Sequence, residues 1–258
     1  MDANKDQTSI LGNAKPSQAI VKLALPATLA LLAKAVYNIV DTAYIGMLGS
    51  DIALTAVGVT VPLLLIMVSI ENIFAAGAAV LAGRQLGAKD EEGASRTVTT
   101  IIGLSIVIGA VLCVGGIVFI EPLMRAFGAS DASLSLAEDY AFWMFVAALA
   151  NLPAQSMNCA ARAESSVKIS SIAVITGALL NVVLDPIFMF DWGLGMGVEG
   201  ASLATTVSQF VTFFILAWFY LSGRSVIKLH LGSFRPSWKL IKTVTVIGVP
   251  TAVIQICL

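Results

Sequence analysis

The sequence predicts an all-α polytopic membrane protein, on three observations. It is 58% hydrophobic and 12% charged, with a mean hydropathy of +0.91, whereas soluble domains run about 25% charged. Apolar stretches of the roughly 20 residues needed to cross a bilayer recur along the chain. Lysines and arginines gather in every second connection between those stretches.

Six complete spans are expected at 18–40, 54–83, 97–120, 136–158, 168–190 and 199–221, with a seventh beginning near Lys242. Lys5, Lys15 and Lys22 precede or open span one. Arg84, Lys89 and Arg96 follow span two, and Arg162 and Lys168 follow span four. Arg224, Lys228, Arg235, Lys239 and Lys242 follow span six. The alternate connections hold only Arg125, and Lys34 is inside a span. The positive-inside rule then puts the N-terminus in the cytoplasm and folds the six spans as three hairpins. The expected organisation is a tail (1–17), a six-helix lobe (18–222), a basic cytoplasmic loop (223–241) and the start of a seventh span (242–258). The net charge of −1 hides this asymmetry and offers no nucleic-acid surface. The expected surroundings are a lipid bilayer in the cell membrane.

The polar first 17 residues and the length of span one do not fit a cleaved signal peptide. Cys113, Cys159 and Cys257 lie in or at the end of spans and read as unpaired packing residues. His230 stands alone in a basic loop, so it reads as a solvated surface residue and not a metal ligand.

The start of span seven echoes that of span one: IVKLALPAT around Pro26 against IKTVTVIGVPTA around Pro250. Aligning the prolines gives an offset of 224 residues. A repeat with an even number of spans is parallel, about an axis along the membrane normal, and a complete two-repeat protein is expected at roughly 450 residues and twelve spans.

The most informative residue is Asp185, within Ile172–Phe190 (IAVITGALLNVVLDPIFMF), whose other strongly polar member is Asn181. Ionisable residues in a span are costly and usually face a bundle interior or a wet cavity. Asn181 and Asp185 are four apart and share a helix face. Pro186 frees a carbonyl one turn earlier, which must find another partner in a membrane. This oxygen-rich spot suits a proton or Na⁺, or else clasps a neighbouring helix. Thr205 and Thr206, in a small-residue stretch of span six, either complete it or pack.

Span one ends in Tyr37-Asn38-Ile39-Val40-Asp41, with Tyr37 and Asp41 on one face and Asn38 adjacent. Asp41 reads either as a site acid at the depth of Asp185 or as a solvated acid near the external end. Lys34 and Glu71 fall at comparable depth if spans one and two form a hairpin. They are expected to pair structurally, which would reduce their desolvation cost. Asn151, Gln155, Asn158 and Arg162 form a stripe on span four, bent by Pro153, that either lines a substrate cavity or bonds neighbouring helices.

Several of these segments resemble multidrug and toxic compound extrusion (MATE) transporters of the prokaryotic type. They are Leu25–Pro62, Ala82-Gly-Arg-Gln-Leu-Gly-Ala-Lys89, Ala161-Arg-Ala-Glu164, Asn181-Val-Val-Leu-Asp-Pro186 and Gly197-Val-Glu-Gly-Ala-Ser-Leu-Ala-Thr205. The resemblance implies a twelve-helix fold of two six-helix lobes, of which this chain would be the N-terminal lobe plus the start of helix seven. The C-terminal lobe of the same chain would be its missing partner. It implies an H⁺- or Na⁺-coupled antiporter of organic, often cationic, small molecules, with no cofactor beyond the coupling ion and no enzymatic activity. It implies a cation site at Asp41, Asn181, Asp185 and Thr205, where Asp41, Asn181 and Asp185 would ligate Na⁺ in a Na⁺-coupled protein. The chain departs from the family at Lys34, where an uncharged residue such as Gln is usual, and at Glu71, in a stretch usually uncharged. A lipid-linked oligosaccharide flippase of a related branch is the alternative, and an intramembrane acid-pair protease a more distant one.

Overall fold

The computed structural model describes residues 16–229 and 237–257. His230 and nearly all of the N-terminal tail lie outside the described residues, as does the side chain of Cys257. The helices are α1 (Pro16–Met47), α2 (Asp51–Gly87), α3 (Glu91–Val118), α4 (Ile120–Ala126), α5 (Leu134–Ala163), α6 (Val167–Met189), α7 (Val198–Leu221) and α8 (Trp238–Cys257). No strand occurs among the described residues.

Local chemistry sets several boundaries. α1 runs to Met47, past the apolar stretch expected to end at residue 40, so Asp41 sits inside a helix and not at its end. The turn that stops it uses Gly49 at φ +65°, a left-handed conformation that glycine adopts freely. Ser50 then caps α2 by accepting from the Ala53 N–H at 3.2 Å, a contact worth about 1 kcal/mol. Asp90 caps α3 through the Gly93 N–H at 2.8 Å. Glu91 and Glu92 follow in the first turn, where the helix dipole favours negative charge.

Among the described residues, five helices are long and apolar enough to cross a membrane: α1 from Ala24, α2, α3, α6 and α7. α5, which contains the fourth expected span, is 30 residues long but is not among the five. Its polar stripe explains the difference, because α5 is the hub of the lobe and not a lipid-facing wall. It packs against α2, α3 and α7. Close approach to α3 depends on Gly109, where a Cβ would lie 2.8 Å from the Ala148 carbonyl oxygen. α4 was not expected. It is one short helix joining α3 to α5, and it buries Met124 in a cluster with Leu63, Met67 and Phe145.

α1 lies chiefly along α6 and barely touches α2, its neighbour in sequence. Only Ala30 and Ile45 are buried among its described side chains. α8 packs along α2. Its Gly248 faces the backbone at Ile73, and Gly77 faces the backbone at Val244, so a Cβ at either glycine would strike a carbonyl oxygen of the other helix. Pro26 and Pro250, the proline pair of the repeat, both fall inside helices.

The segment after α7 is held against the basic end of the lobe. One oxygen of Glu164 (4% exposed) accepts from the Ser225 hydroxyl at 2.7 Å and from the Val226 and Ile227 N–H groups at 3.1 Å each. The Lys228 N–H donates to the Ser95 hydroxyl at 3.1 Å. Burial pushes the Glu164 carboxyl above the usual carboxylate range, opposed by the hydrogen bonds from Ser225, Ile227 and Val226.

Candidate functional site

Asn181 and Asp185 face inward from α6, one turn apart, at 2% and 0% exposure. The Asn181 amide donates to Asp185 Oδ1 at 3.0 Å and to Thr205 Oγ1 on α7 at 3.2 Å. Both of its N–H donors are thus committed. The three acceptor oxygens left over have no partner among the described residues: Asn181 Oδ1, Asp185 Oδ2 and Asp41 Oδ1 are all buried and unbonded. Asp41, half-buried on α1, lies within electrostatic range of Asp185. Tyr37 and Tyr140 each feel both carboxylates.

Buried polar atoms are normally satisfied, and each exception calls for an explanation. Here the exceptions are all oxygens, and among the described residues no Lys or Arg forms a salt bridge with either acid. The salt bridges among the described residues are Arg96–Glu92, Arg125–Glu121 and Arg125–Asp131, none of them at this site. No cluster of three His, Cys, Asp or Glu occurs among the described residues. A donor-poor group of hard oxygens suits a proton or an alkali cation better than a transition metal.

A cavity of about 130 Å³ opens beside this group. Asn181 and Thr205 form part of its wall, with Tyr37 and Lys34 from α1, Glu71 from α2, and Asn151, Gln155, Asn158 and Arg162 from α5. The whole α5 stripe therefore faces one space. Some of it also bonds helices: Asn158 accepts from the Ser170 hydroxyl at 2.8 Å. Asp41 and Asp185 are not among the walls. Asp185 reaches that wall through its hydrogen bond from Asn181.

Two expectations are corrected. Lys34 and Glu71 share one cavity wall and lie within electrostatic range, but no salt bridge joins them among the described residues. The hairpin packing that would have matched their depths is nearly absent, because α1 leans on α6. Glu71 instead accepts from Asn151 Nδ2 on α5 at 2.9 Å. Asn38, expected beside the site, is exposed and lies outside the cavity wall. Its carbonyl accepts from the Thr42 hydroxyl.

Ser208, Gln209 and Thr212 line the cavity from α7 and were not singled out from sequence. Their spacing from Thr205 (three, four and seven residues) places them on its face, so the signal was present. Tyr140, from the first turns of α5, and the 3.0 Å bond from Trp143 Nε1 to Glu199 Oε1 were also missed. No local pattern marks either contact. Cys113 and Cys159 are buried and free, as expected of packing residues.

Comparison with known proteins bears directly on this arrangement. Residues 26–187 match the MatE family, a stretch that carries Asp41, Asn181 and Asp185. The chain belongs to the MatE family. Multidrug export protein MepA of Staphylococcus aureus (strain bovine RF122 / ET3-1) is 26% identical over 239 residues, covering 93% of this chain and 52% of MepA. MepA of Staphylococcus saprophyticus is 24% identical over 237 residues. A MATE crystallised in complex with MaL6 superposes with a TM-score of 0.88 at 29% identity, covering 96% of this chain and 54% of that one. A MOP superfamily transporter from Pyrococcus furiosus, for which reversed binding-pocket polarity suggests a different function, superposes with a TM-score of 0.85. This MatE chain spans about half the length of the curated relatives it matches, consistent with an N-terminal lobe.

Proposed function

We propose that this MatE lobe belongs to a cation-coupled antiporter that exports organic, often cationic, compounds by alternating access, with its N-terminus in the cytoplasm. The supporting observation is the group of three buried, unpartnered oxygens on Asp41, Asn181 and Asp185. Two acids with buried oxygens, within electrostatic range of each other and with no salt bridge to either among the described residues, are costly when both are charged. A proton or Na⁺ relieves that cost.

Asp41 is on α1 and Asp185 on α6, so an ion shared between them ties the two helices together. α1 is the least buried of the long helices and rests chiefly on α6, so few other contacts oppose its movement. Binding of the ion favours the state in which the carboxylates converge, and its release favours the state in which they separate. An ion shifts the equilibrium only through this difference in affinity. Substrate occupies the cavity that Asn181 lines, where ion-driven movement of α1 also moves Tyr37 and Lys34.

The test is transport in everted membrane vesicles, with ethidium as probe and an imposed H⁺ or Na⁺ gradient. Asp41→Asn and Asp185→Asn should each abolish gradient-driven uptake while leaving the protein in the membrane. Wild-type coupling in both variants would sink the proposal. Whichever gradient drives the unmodified protein identifies the coupling ion.

A further inference from the structure

α6 and α7 pack against each other, and both are long and apolar enough to cross a membrane. Each turns one face away from the cavity. On α6 that face carries Ile172, Leu179 and Val183, all exposed. Leu179 and Val183 flank the buried, cavity-lining Asn181 by two residues, about 200° around the helix. On α7 the outer face carries Phe214, Trp218 and Leu221, also exposed. Phe214 and Trp218 flank the buried Leu216 in the same way. Both stripes end in a cation at the basic end of the lobe. Lys168, one turn before Ile172, is exposed in the first turn of α6. After α7, Gly223 at φ +71° turns the chain, and the Arg224 guanidinium lies over the Trp218 ring, 4.6 Å from its centroid. Glu164 pins the residues that follow by accepting from Ser225, Val226 and Ile227. Arg224 is thus held at the foot of the α7 stripe.

We infer that the outer faces of α6 and α7 seat one anionic phospholipid, with its phosphate between Lys168 and Arg224 and its acyl chains along the two apolar stripes. The seat lies on the side of these helices away from the cavity, and it stands whether or not the lobe takes part in export. Packed neighbouring helices are about 8–10 Å apart, a gap that a lysine stem and a guanidinium close on one phosphodiester. Arginine presents a planar fork to phosphate, and lysine a mobile point charge. Stacking on Trp218 orders Arg224 before any lipid arrives, so less side-chain freedom is lost on binding. A water-soluble anion would use the cations but leave the stripes bare. A zwitterionic lipid would use the stripes, but its own ammonium would offset the attraction to the two cations. An anionic phospholipid satisfies both. Tryptophan at this level also suits the headgroup boundary, where aromatic residues collect.

The test places the chain in vesicles of equimolar phosphatidylcholine and phosphatidylglycerol, with one or the other brominated on its acyl chains. Trp143→Phe, Trp192→Phe and Trp238→Phe leave Trp218 as the sole tryptophan, so quenching reports the lipid beside it. Each basic residue at a membrane surface raises affinity for anionic lipid about fivefold, so two should give phosphatidylglycerol an advantage of about 25-fold. Lys168→Gln and Arg224→Gln should each lower that advantage about fivefold. Lys89→Gln, exposed on the turn after α2, should leave it unchanged. No preference for phosphatidylglycerol, no fall in Lys168→Gln or Arg224→Gln, or an equal fall in Lys89→Gln would each overturn the inference. Loss of the preference on adding inorganic phosphate, but not chloride at matched ionic strength, would also overturn it by assigning the cations to a free anion. Native mass spectrometry of the chain with its tryptophans in place reads the same ratio from the lipid retained. A folding defect in the phenylalanine variants therefore cannot decide the outcome.

Discussion

Asn181 bonds both Asp185 and Thr205, and its removal gives a prediction whose size follows from geometry. Asn181→Ala deletes two hydrogen bonds, to Asp185 Oδ1 at 3.0 Å and to Thr205 Oγ1 at 3.2 Å. The first is worth about 1.5–3 kcal/mol when the acceptor is charged, and the second about 0.5–1.5 kcal/mol. Water from the adjoining cavity can reach the vacated wall, so the lower half of the sum applies and the expected loss is about 2 kcal/mol. Thr205→Val removes only the second bond and should cost about 1 kcal/mol. The decisive quantity is the coupling between them. With Asn181 already gone, Thr205 has lost that donor, and Thr205→Val should then cost almost nothing. The assay is denaturant unfolding of the detergent-solubilised protein for the wild type, both single variants and the double variant. A Thr205→Val cost that is the same in both backgrounds would show that the amide does not bridge α6 and α7, and the argument built on it would fail.

Other predictions follow from the packing. Gly77→Ala and Gly248→Ala each drive a Cβ into a backbone carbonyl of the facing helix, which cannot rotate away as a side chain would. Each should cost about 1–3 kcal/mol of overpacking and speed hydrogen exchange along α8, whereas Gly58→Ala, with nothing within 4 Å of its Cβ, should do neither. Glu164→Ala leaves the Ser225, Val226 and Ile227 donors without their acceptor and should expose residues 225–229 to limited proteolysis, while Glu164→Gln keeps an acceptor and should protect them. Because burial raises the Glu164 carboxyl, the folded state holds that proton more tightly than the unfolded chain does. Its contribution is therefore complete below about pH 4.3, the ordinary glutamate value, and is lost as pH rises through the raised folded value. Glu164→Gln should flatten that part of the thermal-stability profile, and an unchanged slope would contradict the assignment.

How far the sequence could be read depended on the range of the interaction. Asn181 and Asp185 were legible because both lie on one helix, and the periodicity of 3.6 fixes which residues share a face. The α5 stripe was legible for the same reason, as was the proline pair of the repeat. Lys34 and Glu71 were misread because their relation depends on how α1 packs. Sequence adjacency favours a hairpin between α1 and α2, but α1 settles on α6. The carboxamide that Glu71 meets is 80 residues away, and no spacing rule reaches that far. The ends of α1 and α5 were placed too early because hydropathy measures what lipid tolerates. A helix can continue past the bilayer as long as its backbone bonds are made.

Asn181 also gives the acid group and the cavity a common physical basis. Its amide donates to Asp185, and together with Thr205 it forms part of the cavity wall. A ligand that competes for Thr205 or draws on the Asn181 amide necessarily alters how Asp185 is held. An ion that binds Asp185 and Asn181 Oδ1 alters what the wall offers a ligand. Reciprocity follows from thermodynamics: whatever factor the ion applies to ligand affinity, the ligand applies to ion affinity. The coupling then needs no relay through distant residues, because one side chain belongs to both sites. Asn181→Ala should for this reason uncouple the two even where each still binds. In binding titrations of ethidium, the wild type should show an affinity that shifts with Na⁺ or pH, and the variant an affinity that does not. A shift of equal size in both would place the coupling elsewhere, in the movement of α1 alone.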